Sequence, residues 1–232
     1  KKGAKMIAAV LNEEQIGKIR NASLSILERT GVSIPHKEML EKLAELGAKV
    51  DFERKIARIP SDIVMKSVSQ AGKKYTLYGR DKSRQAVFGA GKRNYNSIAG
   101  EAYWLERPGA TRRFASLEDV AAAARFADAM SHVNIAGAMS DPHEIPVSWR
   151  CVQVMATMLK NTVKPLTFWY YDRVSAKFIN EIIIAVRGST VEAEKYPICY
   201  PFLEPISPLS FPFDGIELLF ETSKLNLPVP IG

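Results

Sequence analysis

The chain has 232 residues, 47% hydrophobic and 25% charged, a balance that is typical of globular proteins with enough apolar residues for a core. No apolar run reaches the roughly 18–20 residues of a membrane-spanning helix, so we expect no membrane span. The net charge of +7 comes from scattered pairs such as Lys92 and Arg93, without a basic helix or an RNA-binding signature, so we expect no nucleic acid to bind.

The first residues and the cysteines indicate a cellular compartment. A basic start at residues 1–5 is followed by a short apolar stretch at 7–11, which the polar run at 12–15 interrupts, so we expect no signal peptide. Cys151 and Cys199 stand alone, without CxxC spacing, as is typical of buried thiols in a reducing environment. We therefore expect a cytoplasmic protein.

Residues 1–115 predict an α+β region of short helices and short strands. Asn12 can cap the first helix, and Ser61 can cap the third. Glycines and apolar periodicity separate the elements. In chain order we predict helices at 12–30 and 36–46, a hairpin at 49–59, a helix at 61–70, and strands within 73–81, 85–91 and 101–106.

The pattern of predicted helices and strands changes at Ser116. Ser116 and Asp119 resemble a capping box that opens an alanine-rich helix at 117–130. Beyond it we predict strands at 133–140, 164–171, 197–203 and 227–231, with helices at 149–160, 174–187 and 214–226 between them. Strands that are apolar on both faces, separated by helices, are typical of right-handed βαβ units on a parallel sheet.

The fold prediction is therefore α/β. Four parallel strands are half of a (β/α)8 barrel, so residues 116–232 are interpreted as the first half of a TIM barrel, preceded by the N-terminal α+β region at 1–115. A small open sheet of four strands is the alternative. It would lack the glycine-rich loop of nucleotide-binding proteins.

Candidate site residues follow the strands, because ligands of parallel α/β proteins bind at the carboxyl ends of the strands. The predicted exits carry Asp141 and His143 after the first strand, Tyr170 and Tyr171 at the second, and Glu204 and Ser207 in a proline-rich loop after the third. Neighbouring strand residues alternate sides, so only part of the aromatic run at 169–171 can face a ligand. The loop with Asn94, Tyr95 and Asn96 is a second candidate that could cover the strand ends.

The chemistry of these residues favours a small cation. Aromatic rings and carboxylates together bind quaternary ammonium groups through cation–π attraction and charge. Asp141 could equally break the strand and begin a turn. His143 has no second ligand at the spacing of a metal site, so we predict no metal, and Lys164 lies at the start of a strand, where we reject a Schiff-base role. No catalytic residue is assigned.

With these residues in view, the chain resembles the trimethylamine methyltransferase family. The resemblance runs through "ILERTGVSI" at 26–34, "LAELGAKVD" at 43–51, "ARIPSDIV" at 57–64 and "YTLYGRD" at 75–81. It continues through "TRRFASLEDVAAAARFAD" at 111–128, "VKPLTFWYYD" at 163–172, "EPISPLSF" at 204–211 and "LPVPIG" at 227–232. The order and spacing of these segments carry the resemblance, since none is a sharp signature alone.

This resemblance implies a TIM barrel that moves a methyl group from a tertiary or quaternary amine, such as trimethylamine or glycine betaine, to the Co(I) of a separate corrinoid protein. The chain itself would bind no cofactor, because the cobalamin belongs to the partner. Family members are longer than this chain, and the pyrrolysine of trimethylamine-specific members lies in the part not matched. The alternatives are a non-catalytic module for betaine-like solutes or another TIM-barrel enzyme of small-molecule metabolism. The sequence leaves open whether the protein forms a homo-oligomer.

Overall fold

The computed structural model describes residues 10–230. Residues 1–9, on which the signal-peptide prediction mainly rests, lie outside this range, as do residues 231 and 232. The chain divides into two compact units. The first reaches Ala71 and includes Ile206–Phe211, and the second contains Gly72–Pro205 and the residues from Pro212 onward.

The first unit confirms the predicted helices and hairpin. Its elements are α1 (Glu13–Arg29), β1 (Val32–Ser33), α2 (Lys37–Glu45), β2 (Lys49–Asp51), β3 (Ile56–Arg58) and α3 (Ser61–Gln70). Asn12 forms a capping box with Gln15 at the start of α1. Ser61 does not cap α3, because Pro60 occupies the N-cap position and the Ser61 hydroxyl donates to Glu28 Oε2 at 2.8 Å.

The sheet of this unit has the order β1-β3-β2, and all its pairings are antiparallel. A distant segment, Ile206–Phe211, lies beside β1. The amide of Ser33 donates to the carbonyl of Leu209 at 2.8 Å, and the amide of Phe211 donates to the carbonyl of Ser33 at 3.0 Å. Part of the predicted proline-rich exit loop therefore belongs to this unit.

The second unit is mixed α/β with a parallel sheet. Its elements are β4 (Tyr75–Tyr78), β5 (Gln85–Phe88), β6 (Tyr103–Trp104), β7 (Arg113–Phe114), α4 (Leu117–Ala129), β8 (Ala136–Gly137), α5 (Val147–Asn161), β9 (Leu166–Thr167), α6 (Arg173–Arg187), α7 (Thr190–Lys195), β10 (Cys199–Tyr200), α8 (Phe213–Thr222) and a 3₁₀ turn at Ser223–Leu225. The parallel sheet has the chain order β8-β9-β10, with Ala136 and Cys199 both opposite Leu166. The first three predicted parallel strands are confirmed, although each is only two residues long.

The predicted fourth strand is not a strand over its described residues, 227–230. Pro228 and Pro230 have no amide hydrogen, so they cannot donate to a neighbouring strand. The carbonyl of Pro230 accepts a hydrogen bond from the amide of Leu203 at 3.1 Å, so the segment runs beside the residues that follow β10. The short strands β1 and β7 and the helix α7 were not predicted.

Residues 95–98 lie along the outer edge of β8 as a parallel partner. Asn96 forms a parallel bridge with Ile135, and the amide of Met139 donates to the carbonyl of Ile98 at 3.0 Å. The amide of Gly137 donates to Ser97 Oγ at 2.7 Å. A Cβ at Gly137 would lie 2.1 Å from the carbonyl oxygen of Ile98, so this close approach requires glycine.

This pairing joins residues 72–115 to the parallel strands. The two units divide at Ala71 and Gly72, whereas the sequence places a boundary at residue 115. The change of pattern at Ser116 marks the helix that connects residues 95–98 to β8. The boundary at 115 remains a prediction for the protein that contains this chain.

The core of the second unit lies between the parallel sheet and its helices. The largest fully buried side chains there include Phe168 just after β9, Met155 and Met158 from α5, and Ile179 and Ile183 from α6. Cys151 and Cys199 are buried free thiols, as predicted. Within residues 10–230, no helix combines the length and apolar character that crossing a membrane would require.

Candidate functional site

A cavity of about 250 Å³ lies at the carboxyl ends of three neighbouring parallel segments. Gly100, Glu101 and Ala102 follow the paired segment 95–98, Asp141 follows β8, and Trp169 and Tyr171 follow β9. This is the end of a parallel sheet at which ligands bind. The cavity is therefore the candidate functional site.

The residues after β9 alternate between the core and the cavity. Phe168 and Tyr170 are buried and stack on each other with ring centroids 4.9 Å apart, and the Tyr170 hydroxyl lies 3.0 Å from Cys199 Sγ. Trp169 and Tyr171 face the cavity. The prediction that Tyr170 lines the site is therefore corrected, because its side chain points to the opposite side of the chain from that of Tyr171.

Asp141 connects the cavity wall to a buried cation. Its Oδ1 accepts a hydrogen bond from the Tyr171 hydroxyl, and its Oδ2 accepts one from Arg150 Nη1 at 2.7 Å. Arg150 is 7% exposed and also donates from Nε to the carbonyl of Ile145 at 2.8 Å. Burial, followed by the bond to Asp141, raises the pKa of Tyr171, so this hydroxyl stays a neutral donor. Arg150 largely offsets the charge of Asp141.

The indole of Trp169 is fixed by Gly100. Trp169 Nε1 donates to the carbonyl of Gly100 at 2.9 Å. A Cβ on Gly100 would lie 2.7 Å from Trp169 Cδ1, so any side chain at this position would displace the ring. One wall of the cavity is thus an aromatic face with a defined orientation.

Glu101 supplies the uncompensated negative charge. Its backbone carbonyl accepts from the amide of Asp141 at 2.8 Å, which places the residue at the cavity rim, and its side chain is exposed. Among the residues that the structure describes, its carboxylate has no ion-pair partner. Glu101 is not among the predicted site residues, because the sequence predicts a strand at 101–106. Treating residues 95–98 as a parallel strand would have placed Glu101 at an exit.

His143 lies beside the cavity but does not line it. Its Nε2 is 4.0 Å from Asp141 Oδ2, and its ring stacks on Phe114 with centroids 4.4 Å apart. Phe114 in turn stacks on Tyr103 at 5.1 Å. Within residues 10–230, no three His, Cys, Asp or Glu side chains are grouped as a metal ion would require.

The segment with Asn94, Tyr95 and Asn96 does not cover the strand ends. The ring of Tyr95 is exposed, while its backbone exchanges hydrogen bonds with Asn134 at 3.0 and 2.7 Å. Asn94 Nδ2 donates to the carbonyl of Val87 at 2.8 Å. The expected lid is instead the edge partner of β8, because its backbone pairs with that strand.

The remaining candidates are not among the residues that line this cavity. Glu204 is exposed in the second unit and is not among the cavity residues. Ser207 belongs to the first unit, in a turn where Ile206 and Ser210 exchange backbone hydrogen bonds at 2.6 and 2.9 Å. Of the predicted site residues, the structure brings Asp141 and Tyr171 together with His143 nearby, and a role in substrate binding stays a prediction for all of them.

The comparisons with known proteins agree on one family. The family model described as trimethylamine methyltransferase (MTTB) matches residues 2–231. Trimethylamine methyltransferase MttB of Desulfitobacterium hafniense is 29% identical over 95% of this chain and 45% of that protein. The corresponding enzyme of Methanosarcina thermophila is 26% identical over 96% and 47%, and a glycine betaine methyltransferase of D. hafniense strain Y51 is 24% identical over 87% and 42%.

The chain thus spans about half the length of the curated relatives it matches. The family match, in contrast, extends over nearly the whole chain and agrees with the segments on which the sequence resemblance rests. The chain belongs to the trimethylamine methyltransferase family.

Proposed function

We propose that the protein containing this chain is a methyltransferase that moves a methyl group from a tertiary or quaternary amine to the Co(I) of a separate corrinoid protein. The observation that carries the proposal is the family match over residues 2–231. Relatives named for trimethylamine and for glycine betaine support a methylated amine as the donor. The two free buried thiols suit a reducing, cytoplasmic setting.

The cavity supports a cationic methyl donor. An amine leaves readily only when it is positively charged, so the site has to hold a cation in line with the nucleophile by position and electrostatics. The rings of Trp169 and Tyr171 offer cation–π attraction of about 0.5–2 kcal/mol each, and Glu101 adds an uncompensated carboxylate. In this arrangement Asp141 orients Tyr171, because its own charge is offset by Arg150.

The sheet supports a barrel as the scaffold. Residues 95–98 and the strands β8, β9 and β10 lie side by side in chain order and are parallel, as in the singly wound sheet of a (β/α)8 barrel. We infer that they form part of such a barrel, with the amine at its carboxyl end. The reactive cobalt would come from the corrinoid carried by the partner, so this chain has to supply binding and orientation only.

The test combines the purified protein that contains this chain, a reduced corrinoid protein from the same organism, and a panel of trimethylamine, glycine betaine and related amines. We expect one of these amines to convert Co(I) to methylcobalamin, measured as a change in visible absorbance. Absence of any conversion across the panel would contradict the proposal. Binding of an amine without methyl transfer to a competent partner would instead identify a solute-binding protein.

Two matched variants examine the site. Glu101→Gln removes the uncompensated rim charge and should weaken amine binding by about 1 kcal/mol, or roughly fivefold, since the interaction is partly screened by water. Glu204→Gln removes an equal charge outside the cavity and should leave the affinity unchanged. Titration calorimetry with glycine betaine and tetramethylammonium measures both, and equal effects of the two changes would remove Glu101 from the site.

A further inference from the structure

A second cavity, of about 180 Å³, lies at the amino-terminal end of the parallel strands. Ser83 and Arg84 reach it from the turn between β4 and β5, Asn134 from the segment before β8, and Lys164 from the segment before β9. The candidate amine site lies at the other end of the same strands. The proposed function uses none of these residues.

Lys164 is the buried cation of this cavity. It is 6% exposed, and its Nζ donates to the carbonyls of Ala127 and Met130, both at 2.7 Å, at the end of α4. An ammonium group has three N–H bonds, so one donor is left beyond these two neutral acceptors. Burial lowers the pKa of Lys164, as expected for an ammonium group that is removed from water.

Arg84 places a second positive charge beside the first. The turn holds its backbone, since its amide donates to the carbonyl of Asp81 at 2.9 Å and its carbonyl accepts from Gly79 at 2.7 Å. In the described part of the chain, its guanidinium has no ion-pair partner within contact distance. Its charge lowers the pKa of Lys164, so the two cations repel each other.

The carboxylate of Asp128 is near both cations, and that of Asp81 is near Arg84. Asp128 raises the pKa of Lys164. Hydrogen bonds from Val163 and Thr162, followed by the charges of Lys164 and Arg84, lower the pKa of Asp128. Asp128 Oδ1 is already engaged, since it accepts from Thr162 Oγ1 at 2.7 Å and from the amide of Val163 at 2.9 Å. The exposed carboxylate of Asp81 is engaged as well, since its Oδ1 accepts from the amide of Ser83 at 2.9 Å. The residues described as lining the cavity thus include two cations and no carboxylate.

The rest of the lining is rich in donors. Asn134 Oδ1 accepts from the amide of Tyr95 at 3.0 Å, which leaves its Nδ2 group as the free part of the amide. Ser131 adds a hydroxyl. Amide and hydroxyl donors around two cations form the kind of surface that oxyanions bind, and a guanidinium can donate two parallel hydrogen bonds to one of them.

We propose that this cavity binds a small oxyanion, with inorganic phosphate as the simplest member of the class. Arg84 and Lys164 supply the charge, and Asn134 and Ser131 supply further donors. A bound anion relieves the repulsion between the two cations. The site is independent of amine methylation, so either proposal can fail without the other.

The experiment is a calorimetric titration of the protein that contains this chain with phosphate, at constant ionic strength set by chloride. We expect saturable binding that Arg84→Gln weakens at least tenfold. Arg93→Gln is the matched control, because it removes the same charge from an exposed position outside the cavity. A second variant, Asn134→Ala, should also weaken binding while leaving the net charge unchanged.

Three outcomes would overturn the proposal. They are no saturable binding of phosphate, equal weakening by Arg84→Gln and Arg93→Gln, and unchanged binding in Asn134→Ala. Circular dichroism checks that each variant is folded. Tighter binding of glycerol phosphate than of phosphate would support the site and identify its ligand as a phosphomonoester, whereas tighter binding of phosphate would identify the free anion.

Discussion

Tyr170 and Tyr171 are adjacent in the chain and have opposite environments. The Tyr170 hydroxyl contacts Cys199 Sγ inside the core, and burial raises its pKa well above the ordinary value. The Tyr171 hydroxyl donates to Asp141 at the cavity. The sequence predicts that the two alternate, but not which one faces inward, because the segment is apolar on both sides and lacks a polar face to fix its phase.

We expect alanine substitutions to separate these roles. Tyr170→Ala leaves a cavity in the core and should lower the free energy of unfolding by about 3 kcal/mol or more. Tyr171→Ala should leave most of the stability and weaken amine binding by about 0.5–2 kcal/mol, since one ring of the aromatic wall is lost. Urea denaturation and calorimetry measure the two quantities.

Phenylalanine provides the matched control at both positions. Tyr171→Phe keeps the ring and removes the hydrogen bond to Asp141, so it should bind amines better than Tyr171→Ala does. Tyr170→Phe keeps the core packing and should lower the free energy of unfolding far less than Tyr170→Ala does. Loss of folding in both alanine variants would show that Tyr171 is also a core residue.

At the scale of elements, the start of α4 combines a feature that the sequence predicts with one that it does not predict. The capping box between Ser116 and Asp119 is confirmed. Arg113, from the unpredicted strand β7, adds two hydrogen bonds to the carboxylate of Asp119 at 2.7 and 2.8 Å. This bond pair, followed by the bonds from Ser116, lowers the pKa of Asp119 to about 2.

This pKa predicts a loss of stability in acid. The folded pKa lies below the ordinary value of 3.8, so the stabilisation is present above about pH 4 and is lost as the pH falls through about 2. The difference between the two pKa values corresponds to about 2 kcal/mol. Asp119 is 7% exposed, so water screens little of this contribution. Urea denaturation of wild type and Asp119→Asn should show a gap of this size at pH 5 that closes by pH 2.

Glu118→Gln is the control for this experiment. Glu118 lies in the same turn, is mostly exposed, and pairs with the exposed Arg125, so its removal should change stability by less than about 1 kcal/mol at every pH. A gap between wild type and Asp119→Asn that stays constant from pH 5 to pH 2 would contradict the assigned pKa.

The elements that sequence could predict are those with a strong local signal. The long amphipathic helices have caps and periodic apolar faces, and α4, α5 and α6 lie within two residues of their predicted bounds. Residues 95–98 carry no such signal, since their pairing depends on Gly137 and Ile135, which are about forty positions away. For the same reason, the sequence indicates only part of the cavity lining: it gives Asp141 and Tyr171 as site candidates, but not Glu101.

At the scale of the molecule, Arg187 holds distant parts of the second unit together. Its buried guanidinium donates to the carbonyls of Tyr196, Gly79 and Tyr78 at 2.9, 3.0 and 2.8 Å. Two of these carbonyls lie more than 100 positions earlier in the chain, at the end of the β4–β5 hairpin. No sequence pattern marks a residue that binds backbone carbonyls so far away.

We expect Arg187→Met to lower the free energy of unfolding by about 3 kcal/mol or more, because three buried carbonyls lose their donor. Arg187→Lys should recover part of the loss. Arg125→Met, which removes an exposed ion pair, should lower the free energy of unfolding by less than about 1 kcal/mol. Urea denaturation measures these changes, and amide exchange at Leu77 and Ala86 should accelerate in Arg187→Met if the hairpin is released.

The two sides of the parallel sheet differ in one further respect. The outer side of β8 is occupied by residues 95–98, whereas on the β10 side it is the later segment 227–230 that runs beside the residues after β10, with Pro230 accepting from the amide of Leu203 at 3.1 Å. Free backbone groups at a sheet margin attract other polypeptides. A truncated product or a nascent polypeptide that stops near β10 would therefore expose unpaired backbone groups at one margin of the sheet. Two such molecules would close into a pair by joining these margins. Two exposed margins would instead have allowed growth into filaments.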